Sequence, residues 1–248
     1  MQLGRLGAKL LMFDVLDSTM GTARELAEDG EPEGTVIAAD MQKAGLGRLG
    51  RKWESPKGGV WFSIILRPDV PAGEAPKLTL MAGAAVARAL GEMYKLDARL
   101  KWPNDVLIDG KKVCGILTEL KAADKIDYVL IGFGMNANFP VSALPAELES
   151  SATTLRDELG KNVDARALMR QVLDEFEALY APFCKGDYLS ILKEWTELSD
   201  TLGKKVKVET AAGVIQGVVK DISPTGALVV NTTEGNVEVP SGDCIYLR

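Results

Sequence analysis

Apolar residues in this chain recur in two rhythms, short strand-length runs and longer stretches with helical spacing, and these predict its elements. Residues 9–16 (KLLMFDVL) read as a short buried strand. Asp17, Ser18 and Thr19 offer capping side chains for a helix through Ala27 that stops at Gly30. Residues 35–39 and 60–66 are further strands, and 75–94 is an Ala- and Leu-rich buried helix. A strand over 99–102 ends at Pro103, since proline donates no ladder hydrogen bond. Residues 106–108 and 113–120 form a hairpin across Asp109-Gly110, a pair suited to the left-handed turn that joins two strands. A strand from 129 runs through Phe133 into Gly134, Met135 and Asn136, after which 137–153 reads as irregular. Helices follow over 164–183, capped by Asp164, and over 187–198.

Beyond Gly203 the texture changes. Short β-branched runs at 206–208, 214–219, 227–230 and 237–239, with Ile245 and Leu247 in a fifth, predict a small SH3-like barrel. The boundary is placed near residue 200, giving units of 1–200 and 201–248. No internal repeat is found, and no helix-turn-helix unit fits ahead of residue 9.

Composition narrows the chemistry. The 248 residues are 46% hydrophobic and 26% charged, which suits a globular chain with a sizeable core. The formal net charge is −6, so no nucleic-acid partner held by counterion release is expected. There is no histidine, which removes Ser-His-Asp and Cys-His catalysis and most zinc chemistry. Cys114, Cys184 and Cys244 are widely spaced and are expected to be reduced. No signal-like segment is read, and no apolar run approaches the ~20 residues of a membrane span. The expectation is a cytoplasmic protein with no membrane partner.

Gly45-Leu46-Gly47-Arg48-Leu49-Gly50 matches G-x-G-x-x-G formally, but Arg51 to Gly59 cannot open the helix that a dinucleotide site needs. The P-loop pattern fails too, because Gly50 is followed by Arg51 and Lys52. What remains within 41–58 is a long glycine loop carrying Lys43, Arg48, Arg51 and Lys52. Taken alone it is equally a solvated turn or an anion-binding loop. A second group, Lys101-Trp102-Pro103-Asn104-Asp105, projects from a strand end, and Lys112 lies beyond the hairpin turn facing the same region. A carboxylate, an amide and two lysines suit a metal-bound nucleotide, with Asp105 toward Mg²⁺ and Lys101 and Lys112 toward phosphate and carboxylate oxygens. Trp102 reads as core and Lys111 as a solvated lysine.

GLGRLGRKW at 45–53, KWPNDV at 101–106, KVCGILTEL at 112–120 and IGFGMN at 131–136 resemble, in order and spacing, the biotin protein ligase family. Asp17-Ser18-Thr19 and the C-terminal strands resemble it as well. The resemblance implies an α+β fold, a mixed sheet flanked by helices of the class II synthetase-like kind with the small barrel appended. It implies a ligase that makes biotinyl-5′-AMP from biotin and ATP with Mg²⁺, then passes biotin to a lysine of a biotin carboxyl carrier protein. Because the chain starts at the catalytic part, a form without an N-terminal DNA-binding domain is expected, and a homodimer is implied.

By the same resemblance, Ser18, Thr19 and Gln42 contact the biotin head group, with backbone of Gly45, Gly47, Gly115, Gly132 and Gly134 close by. Lys112 holds the carboxylate and α-phosphate, Arg48 and Arg51 bind phosphate and close over the adenylate, and Lys101, Asn104, Asp105 and Asn136 lie at the nucleotide. Trp53 packs near the adenine or anchors the loop, and Arg248 reads as a solvated terminus. Leu46 and Met20 depart from the family pattern, which has a cation and an asparagine at these places. Two other readings are a non-catalytic biotin or nucleotide sensor and a lipoate or octanoate ligase; the latter typically uses a His-Asp pair, which this chain lacks.

Overall fold

The computed structural model describes residues 6–247; the expectation for Arg248 and anything read from residues 1–5 lie outside them. The elements are β1 (Leu10–Leu16), α1 (Thr19–Glu28), β2 (Val36–Gln42), β3 (Val60–Leu66), α2 (Pro76–Tyr94), β4 (Ala98–Lys101), β5 (Asp105–Ile108), β6 (Lys111–Ala122) and β7 (Ile126–Met135). They continue as α3 (Ala146–Glu149), α4 (Leu155–Leu159), α5 (Ala165–Phe183) and α6 (Leu189–Leu198). β8 (Lys205–Thr210), β9 (Gly213–Ile222), β10 (Leu228–Thr232), β11 (Gly235–Val239) and β12 (Asp243–Tyr246) complete the order.

The first seven strands form one mixed sheet in the order β1-β2-β3-β7-β6-β5-β4. Only β1 and β2 run parallel, with α1 crossing between them; the other pairs are antiparallel. Every residue of β3 is buried, because both faces of the central sheet are covered. Side chains alternate across a strand, so Phe62, Ile64 and Leu66, with Val129, Ile131 and Phe133 of β7, enter the main core against α2, α5 and α6. Phe133 stacks on Phe62 at 4.5 Å and meets the edge of Phe176 from α5 at 6.2 Å. On the opposite face Ile65 and Leu130 pack beneath Met20, Ala23 and Ala27 of α1.

The last five strands form a separate antiparallel sheet, β11-β10-β9-β8-β12, with β11 and β12 as its two edges. It is tied to the first sheet beside β4. Asp200 N donates to Leu100 O at 2.8 Å, Trp102 N to Thr201 Oγ1 at 2.9 Å, and Trp102 Nε1 to Gly226 O at 3.3 Å. Trp102 is buried in the main core, as its reading from sequence anticipates.

Two expectations change. The run at 9–16 is a strand, but an edge strand exposed on both faces: Leu10 and Met12 are exposed on one and Phe13 and Val15 on the other. The segment 137–153 holds a 3₁₀ turn at Val141–Ala143 and the single turn of α3. α4 follows, its N-terminus capped by Thr154, whose hydroxyl accepts from Asp157 N at 3.1 Å. The Asp109-Gly110 turn is as expected, with φ of 49° and 75°.

Candidate active site

The period-2 alternation that places Ile65 and Leu130 under α1 also puts Gly115, Gly132 and Gly134 on that same face. In the ladder Gly115 pairs with Gly134, and Ser63 with Gly132. Glycine weakens a strand interior, so facing glycines at the centre of a sheet mark a place where something must approach the backbone closely. Here that is the indole of Trp53: a Cβ on Gly134 would stand 2.5 Å from Trp53 Nε1, and one on Gly115 3.0 Å from its Cζ3. The Met20 sulfur fills the space beside Gly132, where a Cβ would lie 2.8 Å away.

Above this floor is a cavity of about 540 Å³, within the range of small-molecule sites. Its neutral polar end is built where α1 begins. Ser18 is the N-cap residue, yet its hydroxyl makes no cap bond. Thr19 N and Oγ1 donate to Gln42 Oε1 at 2.8 and 3.1 Å, and Thr19 Oγ1 also bonds Ser63 Oγ at 2.8 Å. Gln42 Nε2 donates to Ser55 Oγ at 2.8 Å, and Ser55 Oγ to Trp53 O at 3.2 Å. Among the described residues, Ser18 Oγ and Trp53 Nε1 are buried with no hydrogen-bond partner. A buried donor without a partner costs stability, and both atoms lie on residues of the cavity wall.

The glycine loop is more ordered than a long irregular segment. Leu46 bridges to Lys52, Gly47 N donates to Arg51 O at 2.8 Å, and Arg48–Gly50 make one 3₁₀ turn in which Leu49 adopts φ 57°. Gly45 is pressed under the loop: a Cβ there would stand 2.4 Å from Trp53 O. It is the one residue of the sequence-derived set that does not line the cavity; the other fourteen do.

The opposite end of the cavity is charged. Lys112 Nζ lies 2.6 Å from Asp105 Oδ1 and 4.9 Å from the centre of the Trp53 ring. Lys101 Nζ stands 4.8 Å over the Tyr246 ring. Arg48 Nη1 donates to Gly242 O at 3.2 Å and to Asn104 Oδ1 at 3.4 Å, while Arg51 pairs with Asp243. Burial lowers the Arg48 pKa from its ordinary value, against the opposing pull of Asp243 and Asp105. Asn104 Nδ2 is committed to Ile116 O at 2.7 Å and Asn136 Nδ2 to Thr153 O at 3.1 Å, so both amides also fix the walls.

Sequence reasoning missed the part of the wall contributed by β12. Asp243, Cys244, Ile245 and Tyr246 all line the cavity, and burial pushes the Cys244 thiol up to about 11. No motif marks them; the nearest signal is Gly242-Asp243 just ahead of an apolar strand.

A domain with a glycine-floored trough, hydroxyl and amide groups at one end and a cluster of cations at the other has recognisable relatives. The model of the biotin/lipoate A/B protein ligase family matches residues 12–136, and that of the biotin protein ligase C-terminal domain matches 201–247. The chain belongs to the biotin protein ligase family. It is 39% identical over 240 residues to the bifunctional ligase/repressor BirA of Bacillus subtilis, covering 96% of this chain and 74% of that protein. With the biotin--[acetyl-CoA-carboxylase] ligase of Mycobacterium tuberculosis it shares 31% identity over 252 residues, covering 98% and 91%. The structure of biotin protein ligase from Aquifex aeolicus in complex with biotin and ATP matches with a TM-score of 0.84 at 33% identity, covering 97% of this chain and 99% of that one.

Proposed function

We propose that this protein activates biotin with ATP as biotinyl-5′-AMP and transfers the biotinyl group to a lysine of a biotin carboxyl carrier protein. The observation that carries this reading is one cavity in which a neutral hydrogen-bonding end, a glycine floor and the cations Lys101, Lys112, Arg48 and Arg51 are joined.

A ureido ring presents both N–H donors and a carbonyl acceptor. Ser18, Thr19 and Gln42 offer groups of both kinds, and the hydroxyl of Ser18 is not otherwise engaged. The floor of Gly132, Gly134 and Gly115 leads from there toward Lys112, against which the carboxylate lies. In the first step a carboxylate oxygen attacks the α-phosphorus of ATP, the bond to the bridging oxygen of the β-phosphate breaks, and pyrophosphate leaves. Both reactants are anions, so Lys112, Arg48 and Arg51 cancel their repulsion and hold them in line. In the second step the acceptor amine attacks the acyl carbon, AMP departs, and the amine loses a proton. Asp105 orients that amine or accepts its proton, while the glycine loop excludes water from the mixed anhydride.

Among the described residues no group of three or more His, Cys, Asp or Glu side chains is placed to hold a metal. Asp105 lines the cavity beside the cations, and its carboxylate would hold a Mg²⁺ ion that the triphosphate otherwise carries. Bound in that way it would supply further neutralisation of the phosphate charge.

The division near residue 200 belongs to this reading, as does the cytoplasm as the place of reaction, in keeping with ATP use and three unpaired cysteines. A second copy of the chain pairs along β1, whose exposed Leu10, Met12, Phe13 and Val15 sit on the sheet edge. Sedimentation equilibrium should give a dimer that Phe13→Lys converts to monomer; a monomeric wild type would remove this element.

Incubation with biotin, MgATP and hydroxylamine tests the main proposal. Biotin hydroxamate and AMP should accumulate, while octanoate and lipoate in place of biotin should give neither hydroxamate. No biotin hydroxamate from folded protein would overturn it.

A further inference from the structure

Both arginines of the glycine loop end on a two-residue element where β12 begins. Arg51 Nη2 donates to Asp243 Oδ2 in an ion pair. Arg48 Nη1 lies 4.0 Å from Asp243 Oδ1 and donates to the carbonyl of Gly242. The Asp243 side chain is only 18% exposed, whereas that of Arg51 is 65% exposed. Gly242 permits the arrangement, because a Cβ there would stand 2.7 Å from Glu209 O and hold β12 away from β8. A contact spanning 192 residues thus closes the loop against the second sheet.

A carboxylate that gathers two guanidinium groups presents them with charge and oxygen geometry close to those of a phosphate. Burial, with the nearby Arg51 charge, depresses the Arg48 pKa despite the neighbouring carboxylates, so this cation gains from a further anion. Arg51, mostly solvated, can turn from one anion to another at little cost. We infer that Asp243 is a positioning residue for adenylation: it holds Arg48 and Arg51 at the cavity wall as a stand-in for phosphate oxygens, and yields them when the nucleotide binds. The inference rests on the adenylation reading given above. As a competitor, Asp243 weakens nucleotide binding slightly. As a resting partner, it takes Arg51 back once pyrophosphate has left and keeps the loop closed over the anhydride.

The test compares the full chain with Asp243→Asn, Asp243→Glu, Arg51→Ala and the Asp243→Asn/Arg51→Ala double variant. The readouts are biotin-dependent ATP–pyrophosphate exchange and AMP release without acceptor. Asp243→Asn should lower the KM for ATP about threefold, the scale of a partly exposed ion pair, and leave the KM for biotin unchanged. It should also raise acceptor-free AMP release severalfold, and Asp243→Glu should restore both values. In the Arg51→Ala background the effect of Asp243→Asn should shrink. An unchanged or raised KM for ATP in Asp243→Asn, or an undiminished effect without Arg51, overturns the inference. A readout free of any folding defect in the variants is the ¹³C carboxylate resonance of Asp243 in the unsubstituted protein. It should move when ATP is added to the biotin-bound protein, and an unmoved resonance at saturating ATP also overturns the inference. Absence of all exchange in the unsubstituted protein would instead sink the adenylation reading; normal exchange with an unaltered variant sinks only the role of Asp243.

Discussion

Replacing Lys112 by alanine should nearly abolish biotin-dependent pyrophosphate exchange, while replacing Arg51 should only weaken it. Lys112 is 30% exposed and stands against both Asp105 and the Trp53 ring. A unit charge 4 Å from a reacting anion is worth about 4 kcal/mol at an effective dielectric of about 20. Loss of one such preorganised group commonly lowers turnover by roughly 10²–10³. Lys112→Ala also removes the ion-pair partner 2.6 Å from Asp105 Oδ1, which disturbs that carboxylate as well. The expected fall in kcat/KM is therefore about 10³ or more. Arg51 is 65% exposed and spends its charge on Asp243 in the resting state. Exposed pairs of this kind are worth ~0.2–1 kcal/mol, so Arg51→Ala should cost about two- to fivefold. Lys112→Arg keeps the charge but changes the donor geometry and should recover part of the rate. The assay is exchange of labelled pyrophosphate into ATP at saturating biotin, with melting temperatures as a control for folding. Equal residual rates in Lys112→Ala and Arg51→Ala would refute the charge argument.

Gly134→Ala places a Cβ 2.5 Å from Trp53 Nε1 and forces the indole off the floor, so calorimetry should show biotin affinity down tenfold or more; unchanged affinity would mean the ring is not part of the wall. Half-buried Cys184 should be alkylated before the buried Cys114 and Cys244. With the Cys244 pKa near 11, only ~10⁻³ of that thiol is ionised at pH 8, so its labelling should lag a free cysteine by about two orders of magnitude and rise tenfold per pH unit. Burial disfavours the thiolate, so the folded chain keeps this proton above the ordinary value of 9.0. Stability should therefore decline from about pH 9 toward 11, and Cys244→Ala should lessen the decline. Rapid labelling of folded protein at pH 8 would contradict this.

The legible parts of the fold are those governed by neighbours in sequence. Asp109-Gly110 dictates its turn because few residues adopt positive φ there, and the long helices α2 and α5 follow from spacing and, for α5, from the Asp164 cap, whose carboxylate accepts from Arg166 N and Ala167 N. The run at 9–16 shows the limit. Its apolarity predicts a strand, but burial depends on whether other elements cover its two faces, and Leu10 and Met12 on one and Phe13 and Val15 on the other stay exposed. The hairpin between β6 and β7 turns through Ala123, Asp124 and Lys125, without the glycine that would announce it. In the site, the glycines were visible as a motif, but their meaning depends on register: Gly115 opposite Gly134 is a property of the ladder. Asp243 and Tyr246 carry no local signal because their partners, Arg51 and Lys101, are well over a hundred residues away.

That distance has a consequence for synthesis. The cavity takes its first wall residue from position 18 and its final one from 246, so a growing polypeptide possesses the loop, the floor and the lysines long before it can enclose anything. A ribosome paused anywhere in the second sheet holds a half-built vessel, whose two arginines have no acid to rest on and whose mouth stands open to water. Competence to retain a labile intermediate therefore arrives only with the strand that completes the vessel.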